Sequence, residues 1–273
     1  MKKVAFITGA TRGIGRSIAI RLGRSGYRVA VNGTKLMLID EVVKEIREAG
    51  GEAIGCPADV ADPDAVTGMV DAVAAAYGRI DVLIHNAGNL HDQRCARMTD
   101  EQWHAVLNVH LNGAFYVIRR ALPHLQKNGG DILLMTSTAG LTGSVGQLNY
   151  SAAKAGMLGM VWTLAEELRR DRIRVNALSP AALTDMTRPV IERIKEKCAS
   201  RKEPFPAFWN VGEPDDIARF AAELLAQQDD DLTGEIFGVN GSRITSWQKP
   251  APAFSESGPE SFFAAWHERK GKS

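Results

Sequence analysis

Tyr150 and Lys154 stand four residues apart inside Asn149–Arg170, a stretch whose apolar spacing predicts a helix, so phenol and ammonium share one face. A phenol with its ordinary pKa of about 10 is a poor base near neutrality. A neighbouring ammonium stabilises phenolate, which makes the pair a candidate for moving a proton to or from an oxygen. Alone, the same pair fits an ordinary wet helix face. A second signal is Thr8-Gly9-Ala10-Thr11-Arg12-Gly13-Ile14-Gly15, between an apolar run and a helical pattern. Glycines let the backbone turn sharply and approach a pyrophosphate, whose charge is met by amides at the helix N-terminus. Any tight strand–helix turn uses glycine as well. Its place after the first strand of an alternating chain favours the dinucleotide.

The elements that must position these groups are legible as alternation. Val4–Thr8, Arg28–Val31, Ala53–Cys56, Val82–His85, Ile132–Met135, Arg174–Leu178 and Ile236–Val239 read as buried strands. Helical patterns cover Ser17–Ser25, Lys35–Ala49, Asp62–Tyr77, Asp100–Gln126 (broken near Asn112-Gly113), Asn149–Arg170 and Pro214–Gln227. Gly50-Gly51 suit a helix end, and Asp62 followed by Pro63 suits a helix start. Repeated strand–helix units imply right-handed parallel crossovers. The expectation is an α/β single domain with a doubly wound, seven-stranded parallel sheet of Rossmann type, over residues 1–243, then a tail over 244–273. The tail reads either as a disordered, proline-interrupted run or as a short amphipathic helix opened by Pro259, with Phe262, Phe263 and Trp266 against a neighbouring subunit or the site entrance.

Composition narrows the class. Of 273 residues 45% are hydrophobic and 24% charged, and the net charge of +1 gives no field that favours nucleic acid or an anionic membrane. No apolar run approaches the roughly 18 residues of a membrane span. The opening MKKVAFITGA is basic then apolar but runs at once into the glycine turn, so it reads as a strand and not a signal. Cys56, Cys95 and Cys198 are too few and scattered for a disulfide framework or a metal site, and a cytoplasmic protein is expected.

TGATRGIG is similar to the TGxxxGxG turn of the short-chain dehydrogenase/reductase family. With it come Asn86-Ala87-Gly88 after the fourth strand, Ser137, Tyr150-Ser151-Ala152-Ala153-Lys154, and Ser179-Pro180 after the sixth strand, over roughly residues 3–242. The resemblance implies an NAD(P)-dependent oxidoreductase. Hydride passes between the nicotinamide and a carbonyl or alcohol carbon; Tyr150 exchanges the proton, helped by Lys154 and the positive oxidised nicotinamide; Ser137 donates a hydrogen bond to the substrate oxygen. It also places Asp59 and Val60 beside the adenine, Asn86, Ala87 and Gly88 along the cleft, and Pro180, Ala181, Leu183 and Thr184 near the carboxamide. An acid ending the second strand would bind the ribose 2′-hydroxyl. Here the stretch is Val31-Asn32-Gly33-Thr34-Lys35, without an acid, and Arg12 with Lys35 would suit a 2′-phosphate. NADP is favoured over NAD; the alternative leaves both cations solvated, with Asn32 or Thr34 on a ribose hydroxyl.

Two departures from the family stand out. His110, in Val109-His110-Leu111-Asn112-Gly113, occupies the place of an asparagine that supports a water behind the lysine. An imidazole can take that relay role or simply pack between helices, while Asn108 lies about 200° around the helix from it. After Pro180, alanine replaces the usual glycine. The chain is similar to 3-oxoacyl-ACP reductases, and these two departures resemble the hydroxyacyl-CoA dehydrogenase subgroup, which points to 3-oxoacyl thioesters. Sugars, polyols, steroids and small ketones stay open as substrates, and a non-catalytic dinucleotide-binding regulator is the alternative of another class. The family's substrate lid falls at about 184–212, where Phe205, Phe208 and Trp209 suit an apolar chain and Arg193, Lys195, Lys197, Arg201 and Lys202 suit the phosphates of acyl-CoA or acyl carrier protein. The same lysines and arginines equally describe a wet helix face. A homodimer or homotetramer built on the long helices is expected.

Overall fold

The computed structural model describes residues 1–270. Its elements in order are β1 (Val4–Thr8), α1 (Gly13–Arg24), β2 (Arg28–Gly33), α2 (Leu36–Glu48), β3 (Glu52–Pro57), α3 (Pro63–Tyr77), β4 (Val82–His85), α4 (Asp100–Leu107), a π turn (Asn108–Asn112), α5 (Gly113–Leu125), β5 (Gly130–Met135), α6 (Thr138–Thr142), α7 (Leu148–Glu167), β6 (Ile173–Ala181), α8 (Arg188–Arg201), α9 (Pro214–Ala226), β7 (Ile236–Asn240), β8 (Arg243–Trp247) and α10 (Pro259–Lys270). The sheet order is β3-β2-β1-β4-β5-β6-β7-β8. All pairings are parallel except β7 with β8, where Val239 faces Ile244. The doubly wound α/β sheet is therefore as expected, with one antiparallel strand added at its edge. That strand lies across the boundary expected at residue 243, so Ile244–Trp247 belongs to the sheet. The hairpin turns on Gly241-Ser242, and Gly241 at φ +58° supplies the backbone such a two-residue turn requires.

Strand side chains alternate between two cores. Val4 and Phe6 of β1 pack with α3, α5 and α7 on one face; Ala5 and Ile7 pack with α1, α2 and α9 on the other. Burial on both faces explains why all five residues of β1 are inaccessible. Asp62 caps α3, accepting from the amides of Asp64 at 2.9 Å and Ala65 at 3.2 Å, with Pro63 in the first turn. The break expected near Asn112-Gly113 is spread over the π turn, in which the Gly113 amide reaches back five residues to the Asn108 carbonyl. The tail forms α10 from Pro259, and its aromatic residues close on one another: Phe254 stacks on Phe262 at 4.9 Å, and Arg269 lies 4.7 Å over Phe254. Strand order reverses between β1 and β4, so the crevice beyond their C-terminal ends is where a ligand of this fold sits.

Candidate active site

The glycine turn lies in that crevice, and its shape is enforced by contact. Gly9 has φ +60°, and a Cβ there would fall 2.6 Å from Ala87 Cα. A Cβ on Gly15 would fall 2.3 Å from the Gly9 carbonyl. Asn86 Nδ2 donates to the Gly9 carbonyl at 2.8 Å, which locks the turn to the residues after β4. Arg12 stands at the N-cap of α1 without a side-chain cap, so the first amides of that helix face the cleft free of the protein's own acceptors. These features fit a dinucleotide pyrophosphate.

The cleft holds about 420 Å³. On the β1–β2 side it is lined by Thr11, Arg12, Gly13, Ile14, Thr34 and Lys35; Asp59, Val60, Asn86, Ala87 and Gly88 follow; Tyr150, Lys154, His110, Pro180 and Thr184 close the β5–β6 side. Gly15 is buried beneath the turn, Ser137 sits beside Tyr150, and Ala181 and Leu183 lie outside the lining, with Leu183 donating its amide to the Gly212 carbonyl at 2.8 Å. Asn32 occupies the place of an acid at the end of β2. Its Nδ2 donates to the carbonyls of Cys56 and Ala58 at 2.9 and 3.0 Å, while its Oδ1 accepts the Gly9 amide at 3.3 Å. Both ends of the amide are thus spent on the fold. Arg12 and Lys35 are exposed and form no ion pair among the described residues.

Tyr150 and Lys154 occupy the first turns of α7, on one face, with Lys154 Nζ 5.5 Å from the Tyr150 ring centre. Lys154 is buried, and its Nζ donates to the Met135 carbonyl at the end of β5, 2.5 Å away. Thr136 Oγ1 donates to the Lys154 carbonyl at 3.1 Å, fastening α7 to the same strand end. Burial pulls the lysine down to about 7. Burial also raises the Tyr150 phenol above its ordinary value, with a hydrogen bond from Ser137 opposing and the charge of Asp92 adding to the rise. The expected lowering draws on the ammonium together with the oxidised nicotinamide; in the protein alone burial outweighs the Ser137 hydrogen bond and the phenol lies above its ordinary range.

His110 lies in the π turn, with its ring edge-on to Tyr150 at 5.2 Å between centres. Its Nε2 lies 3.1 Å from the Asn89 amide and 2.9 Å from the Asn89 carbonyl; Nδ1 is buried without a partner. Burial, then the Lys154 charge, holds this imidazole well below the usual histidine range. Asn108 turns away to accept from Asn112 at 2.8 Å.

Sequence reasoning missed two supporting residues, Thr8 and Asn149, and the capping role of Ser137, which it names only for the substrate oxygen. Thr8 Oγ1 accepts the amides of Asn86 and Ala87 at 3.1 and 3.2 Å. Asn149, fully buried, accepts the Tyr150 amide at 2.8 Å and donates to the carbonyls of His91 and Gln102 at 3.1 and 3.0 Å. Ser137 caps α6, accepting the Ala139 amide at 3.2 Å. Only Ser137 had a local signal, its place before a short helix.

A doubly wound sheet whose switch point carries an open glycine turn defines a dinucleotide-dependent oxidoreductase once a Ser–Tyr–Lys cluster lies beside it. The profile of the short chain dehydrogenase family matches residues 3–195, and the chain belongs to that family. Relatives include the 3-oxoacyl-[acyl-carrier-protein] reductase FabG of Staphylococcus aureus, 39% identical over 245 residues that cover 88% of this chain and 98% of that protein. The corresponding protein of Thermotoga maritima is 36% identical over 244 residues, covering 89% of this chain and 98% of its own. Among solved structures, a short chain dehydrogenase from Mycobacterium avium superposes with a TM-score of 0.82 at 33% identity, covering 99% of this chain and 95% of that one. No helix among the described residues is long and apolar enough to cross a membrane.

Proposed function

We propose that the chain reduces 3-oxoacyl thioesters with NADPH, with Tyr150 as proton donor, Lys154 and His110 behind it, and Ser137 on the substrate oxygen. The observation that carries this is the geometry of the cluster: a phenol hydrogen-bonded by Ser137, with Lys154 Nζ 5.5 Å from its ring centre, in the cleft that the open glycine turn also lines. Residues of the cleft, among them Gly13, Asn86 and Lys154, would hold a reduced nicotinamide dinucleotide, which would supply the hydride for the carbonyl carbon. Ser137 orients the carbonyl oxygen by donating to it. As negative charge develops there, Tyr150 Oη gives up its proton to form the hydroxyl. Lys154 Nζ, titrating near neutrality, returns a proton to the phenolate. His110 Nδ1, unbonded and within the field of Lys154, is the proposed next station of that path.

Arg12 and Lys35 support the 2′-phosphate of NADPH, since each is uncommitted and Asn32 takes the acid's place. The thioester reading is supported by the relatives named 3-oxoacyl-[acyl-carrier-protein] reductase. Residues 184–212 serve as the lid, with Phe205, Phe208 and Trp209 toward the acyl chain and the basic face of α8 toward acyl-CoA or acyl carrier protein. Phe115, exposed on α5, supports a homo-oligomer packed through the long helices, measurable by sedimentation. The test of function is a substrate panel with NADPH and with NADH, including acetoacetyl-CoA, sugars and small ketones. Faster NADPH consumption with acetoacetyl-CoA than with any non-thioester is expected; a preference for a sugar or polyol would overturn the substrate class.

A further inference from the structure

The turn that presents Tyr150 is held in an uncommon way. Tyr150 is the third residue of α7, and an amide at that position has no partner inside the helix. A side chain at the N-cap ordinarily accepts it. Gln147 stands at the N-cap without making that bond; its Nε2 donates instead to Asp92 at 2.9 Å. Asn149 takes the task, and its Oδ1 accepts the Tyr150 amide at 2.8 Å.

The other end of the same side chain reaches two different segments. Asn149 is wholly buried, and its Nδ2 donates to the carbonyls of His91 at 3.1 Å and Gln102 at 3.0 Å. Donor counting fixes this orientation. Only the oxygen can accept the Tyr150 amide, and the nitrogen carries two protons, one for each carbonyl. His91 lies in the segment after β4, and Gln102 in the first turn of α4, the helix that runs directly into the π turn. Those two segments are also tied to each other. Asn89 Nδ2 donates to the Ala105 carbonyl of α4 at 3.0 Å, and the Asn89 backbone meets His110 Nε2. Two asparagines thus close a triangle of three segments, and across it the His110 ring stands edge-on to Tyr150.

We propose that Asn149 is a positioning residue for proton transfer: its one amide group fixes the Tyr150 turn against the His91 and Gln102 carbonyls, and so sets where the phenol points. Asn149 is outside the lining of the cleft, so it acts through Tyr150 and not on cofactor or substrate. The inference rests on Tyr150 being the proton donor.

Hydrogen exchange in the free protein tests the tie without substrate. Both Nδ2 protons of Asn149 are expected to exchange as slowly as core amides; fast exchange overturns the tie. In the acetoacetyl-CoA assay, counted per NADPH-binding site, Asn149→Leu is expected to lower kcat about tenfold or more, the scale of a displaced reacting group, with NADPH Kd and thioester KM within about threefold. Its solvent deuterium isotope effect on kcat should exceed that of wild type, because a misaimed phenol makes the proton step more limiting. A merely structural role would lower stability and leave kcat per site and the isotope effect unchanged; that result overturns the proposal. Asn149→Asp keeps the acceptor for the Tyr150 amide, but a carboxylate cannot donate to the two carbonyls. It should share the loss of kcat, and wild-type turnover there would also overturn the proposal. Should either variant fail to fold, the other and the exchange rates still decide. A wild type that reduces only non-thioesters overturns the substrate class, and the same comparison is then read with that substrate; one that reduces no carbonyl compound overturns both readings.

Discussion

The dinucleotide side and the substrate side of the cleft are built by different means. Around β1, β2 and β4 nearly every polar atom is committed: Thr8, Asn32 and Asn86 each bridge segments distant in the chain, and glycines stand where a Cβ would collide with backbone. Along the outer face of α8 and on to Trp209 the contacts are loose. Phe208 is 64% exposed, Lys195 rests 5.7 Å over Phe205, and the other basic side chains of α8 point to water. The first side is defined by backbone geometry, so it accepts one kind of ligand. The second is defined by exposed side chains, so under the proposed lid role it would set which carbonyl compound enters without touching the chemistry.

If the contrast holds, substitutions at the cluster beside the rigid side should remove chemistry, and those on the loose side should only retune it. Tyr150→Phe should lower kcat by about 10²–10⁴, the range of general acid catalysis, with NADPH Kd within about twofold. Comparable turnover in that variant would break the comparison at its strongest point. Lys154→Met should also abolish most turnover while stabilising the protein. Burial holds the folded lysine at about 7 against its ordinary 10.5, so between these values the unfolded chain holds more protons and wild-type stability rises with pH. The variant's advantage, at most about 5 kcal/mol, should be complete below about pH 7 and fade toward about pH 10.5 in denaturant titrations. Arg12→Ala combined with Lys35→Ala should raise KM for NADPH about tenfold or more and leave KM for NADH within about twofold. Equal changes for both dinucleotides would show that neither cation meets a phosphate. Phe208→Ala should alter KM for acetoacetyl-CoA no more than about threefold, since most of the ring stays in water; a large fall in kcat would place the lid in the chemistry.

The same contrast governs what the sequence made legible. β1 and β4 were bounded to the residue because burial on both faces leaves continuous apolar runs. Asp62 and Pro63 announced α3, and Tyr150, Lys154 and Ser137 were recognisable by type and spacing. β8 escaped because it is an exposed edge whose Arg243-Ile244-Thr245-Ser246 carries no buried pattern, although Gly241-Ser242 held a hairpin signal. Thr8 and Asn149 escaped for a different reason. Their partners lie up to 79 residues away, and no local spacing reports a contact of that range. The burial that raises the phenol is absent from the sequence reading because charge is visible in sequence and desolvation is not.

The claim at the centre is direct hydride transfer to a thioester-borne ketone. NADPH carrying deuterium at the transferring C4 position, incubated with acetoacetyl-CoA and the wild-type chain, tests it by mass spectrometry of the product. The expected product is 3-hydroxybutyryl-CoA with one deuterium on C3. Unlabelled alcohol, or no reduction while other carbonyl compounds are reduced, would contradict the account.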